Sequence, residues 1–345
     1  MNTRYLELVN QLQTTTSQTK NSKILIIDGT NTFIRVFCNV PALNDNGDHV
    51  GGVVGFLKSI GALIRKESPT RCIIVFDGKG GSQRRRKLFP EYKSNRKNSN
   101  RFNRFEEFRS ADEEKYSLRR QLNRVVQYLD TLPITIIAVD NIEADDTIAY
   151  LTKHFVDQYN SNIVISSSDR DFLQLVSDNV IVWNPIKKIY YTKEQIQKEF
   201  GLFPNNYLLY RSLTGDSSDG IPGISGMGLK TILNRFPGFS SESISLDYLL
   251  EISKHNAENQ PKIKVFKTLV ENEPKLRLNY QLMQLQTSII SGNSKMLILN
   301  KINESPQLKR KEFIKLFFED ALQIMIKDPY SWLNSTFNKL ELYTK

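Results

Sequence analysis

KILIIDGTN, residues 23–31, is a short apolar run that stops at Asp-Gly. Four apolar residues in a row, without polar alternation, suit a strand buried on both faces. The same form recurs as CIIVFDG at 72–78, ITIIAVD at 134–140, NIVISSSD at 162–169 and VIVWNP at 180–185. Helical patterns separate these runs. GGVVGFLKSIGALIRK at 51–66 reads as a helix, another opens in DNIEADDTIAYL at 140–151, and DFLQLV after Asp169 reads as a helix start. Continuous apolar strands separated by helices predict an α/β fold: a central, mostly parallel sheet with helices on both faces.

Sheets of that kind bind ligands at the carboxyl ends of their strands. Asp28 ends the first run, Asp77 the second and Asp140 the third, with Glu143, Asp145 and Asp146 just beyond. Asp169 ends the fourth, and Asp171 follows. Any one of these acids reads as a turn residue or a helix cap, and Asp145 and Asp146 suit the first turn of a helix. Acids at the same end of four strands call for more. Packed carboxylates raise one another's pKa unless a cation compensates. Two metals bridged by carboxylates are a common device for cleaving a phosphodiester. The three histidines, His49, His154 and His255, and the two cysteines, Cys38 and Cys72, show no ligand spacing for zinc. Oxygen donors alone favour magnesium or manganese.

The 345 residues suffice for one large domain or two ordinary ones, and a net charge of +10 favours a polyanionic partner. Most of that charge sits in residues 79–124, where fifteen Lys/Arg face six acids, a net of +9. Phe89, Tyr92, Phe102, Phe105 and Phe108 are interleaved. Cations beside aromatics suit single-stranded nucleic acid, through phosphates and stacked bases. The segment leaves after Asp77 and returns before Glu143, so it is expected to arch over the acidic rim. Two cysteines make no disulfide framework, no apolar run is long enough to span a bilayer, and the N-terminus lacks the apolar core of a signal peptide. A cytoplasmic, monomeric protein is expected.

TGDSSDGIPGISGMGLKTILNRFPG, 214–238, places Gly215, Gly220, Gly223, Gly226 and Gly228 ahead of a helix that carries Lys230 and Thr231. Glycine lets a backbone approach another surface closely, and a helix start binds phosphate. A P-loop is excluded: Gly228-Leu229-Lys230-Thr231 misses the required Gly-Lys-Ser/Thr, and no strand precedes it. A hairpin that grips a nucleic-acid backbone remains, with Asp216 and Asp219 placed to complete a metal site.

LIIDGT, VFDG, FPEYKSNR, IEADD, SSDRDFLQLV and LTGDSSDGIPGISGMGLKT, in that order and spacing, resemble the 5′ nucleases, the flap endonuclease and 5′–3′ exonuclease family. The resemblance runs from about residue 23 to residue 238. It implies two magnesium ions, hydrolysis that leaves a 5′-phosphate, an arch that admits a 5′ single strand, and a helix–three-turn–helix on the duplex. By position it implies one ligand group of Asp28, Asp77, Glu143 and Asp145, then Asp169 and Asp171, then Asp216 and Asp219. Asp146 matches a further acid of the family and is counted with the metal ligands. Tyr92, Lys93 and Arg96 match arch residues near the scissile phosphate, and Arg84, Arg85, Arg86 and Lys87 fall in the same basic arch. A potassium ion is implied at backbone carbonyls near Ile221 and Ile224. NGDHVGGVVGF resembles the family segment that contacts duplex. The pattern departs at Gly220, where the family has Asn.

The expected organisation is a flexible lead (1–22), a nuclease core (23–200) containing the basic arch (79–124), a helix–three-turn–helix region (201–240) and a C-terminal helical region (241–345). The implied substrates are DNA with 5′ flaps or ends and RNA–DNA primers, with the C-terminal region available to a replication partner. The alternative is a catalytically silent protein that binds branched DNA. Such a protein has no need to keep every carboxylate.

Overall fold

The computed structural model describes residues 19–94, 103–105, 108–285, 290–323 and 325–344. Strand β1 (Lys23–Asp28) passes directly into helix α1 (Gly29–Asn39), and α2 (Gly51–Glu67) precedes β2 (Arg71–Asp77). Then come α3 (Gln83–Leu88), α4 (Ala111–Leu129), β3 (Thr135–Val139), α5 (Ala144–Tyr159), β4 (Asn162–Ser166) and β5 (Val180–Asn184). The sheet order is β3-β2-β1-β4-β5, parallel throughout, closed at one edge by antiparallel β6 (Ile189–Tyr191). All five apolar runs are strands. Parallel pairing puts their carboxyl ends on one rim.

Alternate residues of each strand feed two cores, because side chains of a strand point to opposite faces. Ile24, Ile26, Ile73 and Val75 lie in one; Leu25, Ile27, Cys72 and Ile74 lie in the other. The sequence misses α1, because an Asp-Gly pair reads as a turn. Here Asp28 is the N-cap, its side chain accepting from the Asn31 N–H. Gly29 fits because a Cβ there would stand 2.7 Å from the Phe76 ring. The expected helix after Asp169 is a short 3-10 turn, Arg170–Leu175.

Beyond β6 the chain forms α6 (Lys193–Phe200), α7 (Tyr207–Thr214), the two-stranded β7 (Gly215–Asp216) and β8 (Ile221–Pro222), and α8 (Leu229–Arg235). Next come α9 (Gly238–Ser241), α10 (Leu246–Asn259), α11 (Lys264–Glu271), α12 (Glu273–Met283), α13 (Gly292–Asn303), α14 (Arg310–Glu319) and α15 (Pro329–Glu341). Residues 241–345, read from sequence as one helical region, divide between the two faces. Leu249, Phe266, Leu276 and Ile298 join the first core; Phe313, Phe317, Leu333 and Phe337 join the second. Helix α13 packs along β3 and covers the sheet edge that would otherwise be free to pair. Among the described residues no helix is long and apolar enough to cross a membrane.

Candidate active site

The rim carries Asp28, Asp77 and Asp169 of the four strand-end acids; the fourth, Asp140, accepts from the Lys79 N–H at 3.0 Å instead. Asp28 is buried, its Oδ1 accepting from the Asn31 N–H at 3.0 Å and its Oδ2 from the Ser167 hydroxyl at 2.9 Å. Asp77 is exposed and accepts from the Ala144 N–H at 2.9 Å, which ties the end of β2 to the start of α5. Asp169 accepts from the Asp171 N–H at 2.8 Å. Asp28, Asp77, Asp145 and Asp169 line one cleft of about 400 Å³ together with Lys93, Arg35 and Arg104. Burial, then repulsion from Asp77 and Asp169, pushes the Asp28 carboxyl up to about 7 against its hydrogen bonds. Burial and the neighbouring acids raise Asp145 and Asp169 as well. Hard oxygen donors held together against their own repulsion fit a divalent cation of the magnesium class.

The remaining acids are engaged by cations of the chain. Glu143 occupies the N-cap position of α5 but makes no capping hydrogen bond. Its carboxylate meets the Lys93 ammonium at 2.5 Å and the Arg85 guanidinium. Despite burial, Arg85 and Lys93 hold it below the usual carboxylate range. Asp171 and Asp216 share Arg211. Burial, then Asp169, pushes Asp171 up to about 7, whereas Ser218 and Arg211 hold Asp216 low against burial. Asp219 is buried, its carboxylate 4.0 Å from the Lys93 ammonium. Among the described residues no three acidic, His or Cys side chains stand as a ready ligand group for one ion. Glu143, Asp171 and Asp216 are turned to their basic partners instead.

The base of the basic segment packs onto this rim. Tyr92 is buried against Ile221, Leu282 and Met283, its hydroxyl 3.3 Å from Glu143. Lys93 takes a left-handed backbone, φ +57°, and its N–H donates to the Asp219 carbonyl at 2.9 Å. Arg85 corrects the sequence reading, which placed it among the nucleic-acid contacts. It is 5% exposed, forks onto both Asp146 oxygens at 2.7 and 2.9 Å, and donates to the Leu282 carbonyl at 2.8 Å. Asp146, read as a further metal acid, points at Arg85 and holds α3 to α5. Arg84 is half-buried, and Arg86 and Lys87 are exposed. Arg96, with residues 95–102 and 106–107, lies outside the described residues. Replacing Arg85 with Ala leaves two buried carboxylates facing no guanidinium, a change that costs about 3–5 kcal/mol. Chemical denaturation of Arg85→Ala should show that loss. A midpoint equal to wild type would mean that the pair is not buried in solution.

This rim has relatives. Residues 23–201 match the family model for the 5′–3′ exonuclease N-terminal, resolvase-like domain. The chain belongs to the 5′–3′ exonuclease family. It is 31% identical over 267 residues to a 5′–3′ exonuclease of Aquifex aeolicus, covering 77% of this chain and 82% of that one. A 5′–3′ exonuclease of Buchnera aphidicola from Schizaphis graminum is 29% identical over 303 residues, 86% of this chain and 95% of that one. The DNA polymerase I of Bacillus subtilis matches at 30% over 254 residues, 72% of this chain but 27% of the polymerase. Among solved structures, a flap endonuclease of bacteriophage T5, in complex with DNA and metal ions, shares the fold. Its TM-score is 0.62 at 20% identity, covering 87% of this chain and 100% of that one. Membership makes the chain a 5′ nuclease, a hydrolase acting on DNA, and lends no support to catalytic silence.

In this 5′–3′ exonuclease the glycine-rich hairpin is β7 and β8 followed by a turn into α8. Gly226 has φ +78° and open space around it, a conformation that side chains rarely adopt. Gly223 is close-packed instead: a Cβ would stand 2.3 Å from the Thr214 carbonyl oxygen. Gly228 is the N-cap residue of α8, and Lys230 and Thr231 follow in its first turn. Helix α12 holds the hairpin from behind. Asn279 donates to the Ser212 and Pro222 carbonyls at 3.0 Å, and the Lys275 ammonium to the Gly223 carbonyl at 2.8 Å.

Sequence reasoning missed Arg35, Arg211, Lys275 and Asn279. For Arg35 the sequence signal is its place one turn after Asn31, which in the structure accepts from the Ser168 hydroxyl at 2.9 Å. That face was hidden once α1 was read as a turn. Lys275 and Asn279, one turn apart on α12, gave no cue that they reach the hairpin.

Proposed function

We propose that this 5′ nuclease is structure-specific, cutting 5′ flaps and 5′ ends of DNA, and RNA–DNA primers, with two magnesium or manganese ions. The observation that carries the reading is the one cleft that Asp28, Asp77, Asp145 and Asp169 line together with Lys93, Arg35 and Arg104. Asp28, Asp77, Asp145 and Glu143 would hold one ion, and Asp169, Asp171, Asp216 and Asp219 the second. Ions bound there would supply an activated water and neutralise charge on the leaving oxygen. The chain's own residues do the rest. Lys93 faces the acids and, on exchanging Glu143 for the scissile phosphate, stabilises the charge that grows on its oxygens. Arg35 and Arg104 line the path of the incoming strand. Tyr92, packed on the hairpin, fixes the position of Lys93. Arg86 and Lys87, exposed on α3, are available to a single-stranded phosphate backbone.

A potassium ion at Ile221 and Ile224 is not part of this reading. The Ile224 carbonyl accepts from the Met227 N–H, and the neighbouring Pro222 and Gly223 carbonyls accept from Asn279 and Lys275. A chain-borne ammonium already stands at that turn. The C-terminal helices contribute to both cores.

The test is single-turnover cleavage of matched 5′-flap, nicked and RNA-primed duplexes with and without magnesium. Flap cutting that requires the metal is the expected result. Equal cutting of a flapless, unnicked duplex would remove structure specificity.

A further inference from the structure

Helix α2 follows Val50, which is buried and offers no side-chain cap. Gln121 of α4 supplies the cap, its Oε1 accepting from the Gly52 N–H at 2.8 Å and the Val53 N–H at 3.4 Å. Its Nε2 donates to the His49 carbonyl at 2.9 Å and to His49 Nδ1 at 3.0 Å. An Nδ1 that accepts leaves the ring proton on Nε2, which donates to the Val40 carbonyl at 3.2 Å. Asn103 extends the chain of contacts, its side chain donating to the Phe37 carbonyl at 2.5 Å and its N–H to the Glu114 carboxylate. His49, Asn103, Glu114 and Gln121 are all buried. The glycines at the start of α2 make room for them: a Cβ on Gly51 would stand 2.6 Å from His49 Nε2, and one on Gly52 2.8 Å from Gln121 Oε1. Buried polar groups that satisfy one another rigidify the elements they join.

What they join is the returning limb of the basic segment to the end of α1 and the start of α2. Arg104, exposed and next to Asn103, lines the acidic cleft with Lys93 and Arg35, and its N–H donates to the Cys38 carbonyl at 3.0 Å. We propose that Asn103, held by Phe37 and Glu114 and backed by His49 and Gln121, is a positioning residue that sets Arg104 in the cleft to meet a phosphate of the 5′ strand. Asn103 is buried and acts only through Arg104. A long cation on an unanchored limb must be ordered when the strand binds, and that ordering costs affinity; an anchored one has met the cost on folding. The inference rests on the reading given above, that Arg104 lines the path of the incoming strand. The same contacts also fasten α2 to α4. A role confined to that fastening is the competing account, and the salt dependence of binding separates the two.

Fluorescence anisotropy of a 5′-flap duplex in EDTA, across a salt series, tests this without turnover. Thermal melts set the assay temperature below each variant's transition. One single-strand phosphate contact contributes about 0.7 to the log–log slope, so Arg104→Ala should flatten it by about 0.7 and weaken binding about 5-fold at 0.1 M salt. Asn103→Ala removes no charge, yet should flatten the slope as much, because Arg104 no longer reaches its phosphate. The double variant should lose about 5-fold as well, against the roughly 25-fold of independent sites. Plain duplex should bind both single variants as it binds wild type. Gln121→Met, close in volume and without a hydrogen-bonding amide, should flatten the flap slope too, and it decides the case if Asn103→Ala does not fold. A flap slope that stays at wild type in Arg104→Ala, in folded Asn103→Ala or in Gln121→Met overturns the proposal, even where affinity falls. So do multiplied losses in the double variant, or an equal loss on plain duplex. The expected pattern in a protein that cuts no flap with magnesium would sink the nuclease reading and leave the positioning of Arg104 standing.

Discussion

Asp169→Asn should abolish flap cleavage in magnesium and, in metal-free buffer, make the protein more stable than wild type. Both effects have one origin. Asp169 sits in the acidic cleft with Asp28 and Asp145, and its charge helps to push theirs upward. A carboxyl raised in the folded state binds its proton there at pH values where the unfolded chain has released it. Stability therefore falls as pH rises from the ordinary carboxylate value, ~4, to about 7, where Asp28 titrates. Asparagine keeps the size and the oxygen that accepts from the Asp171 N–H, but removes one charge from the set. The relief is on the order of 1 kcal/mol, since one pKa unit corresponds to 1.36 kcal/mol. The same missing charge deprives a divalent cation of a ligand, and the loss in rate should exceed the ~10²–10³ that one missing electrostatic donor costs. Single-turnover kinetics and thermal melts in EDTA read the two effects separately. Wild-type cleavage by the variant would remove Asp169 from the site. A lower melting temperature would mean that the cluster is not self-repelling.

The strand ends made the rim readable from sequence, because buried parallel strands are written as unbroken apolar runs and their last residue is easy to locate. Asp28, Asp77 and Asp169 followed from that alone, whereas Asp140, which ends the third run, is not among the cleft residues and Asp145, on the helix after it, is. What pairs with those acids was not readable. Arg85 stands in a run of cations, and charge runs read as surface, yet the ion pairs with Glu143 and Asp146 bury it. Helix α1 was lost to local punctuation: Asp-Gly is a turn signal, and only the close approach of Phe76 shows why a glycine begins a helix there. Strand β6, three residues long, is too short to have a period.

Lys93→Ala should lower the single-turnover rate ~10²–10³-fold while changing flap affinity little. The ammonium is placed by the backbone as much as by its side chain. Lys93 holds φ +57°, an uncommon conformation for a residue with a Cβ, and its N–H is fixed to the Asp219 carbonyl. Strain of this kind persists where surrounding structure imposes it. Burial alone would lower the pKa of the ammonium, but Glu143, Asp219 and Asp145 outweigh it and raise the value, so the charge is present throughout the neutral range. In the Ala variant Glu143 keeps its Arg85 partner, which limits the structural damage. A charge that acts on the developing phosphoryl oxygens is worth most in the transition state, so the loss falls on the rate. A Lys that only holds the substrate loses affinity instead. Lys93→Arg separates geometry from charge: it keeps the cation but spreads it over a planar fork, and should recover only part of the rate. Rates at saturating enzyme, with dissociation constants from anisotropy, distinguish the cases. A full rate with weakened binding would make Lys93 an ordinary phosphate contact, and the catalytic charge would then have to come from Arg35 or Arg104 on the same cleft.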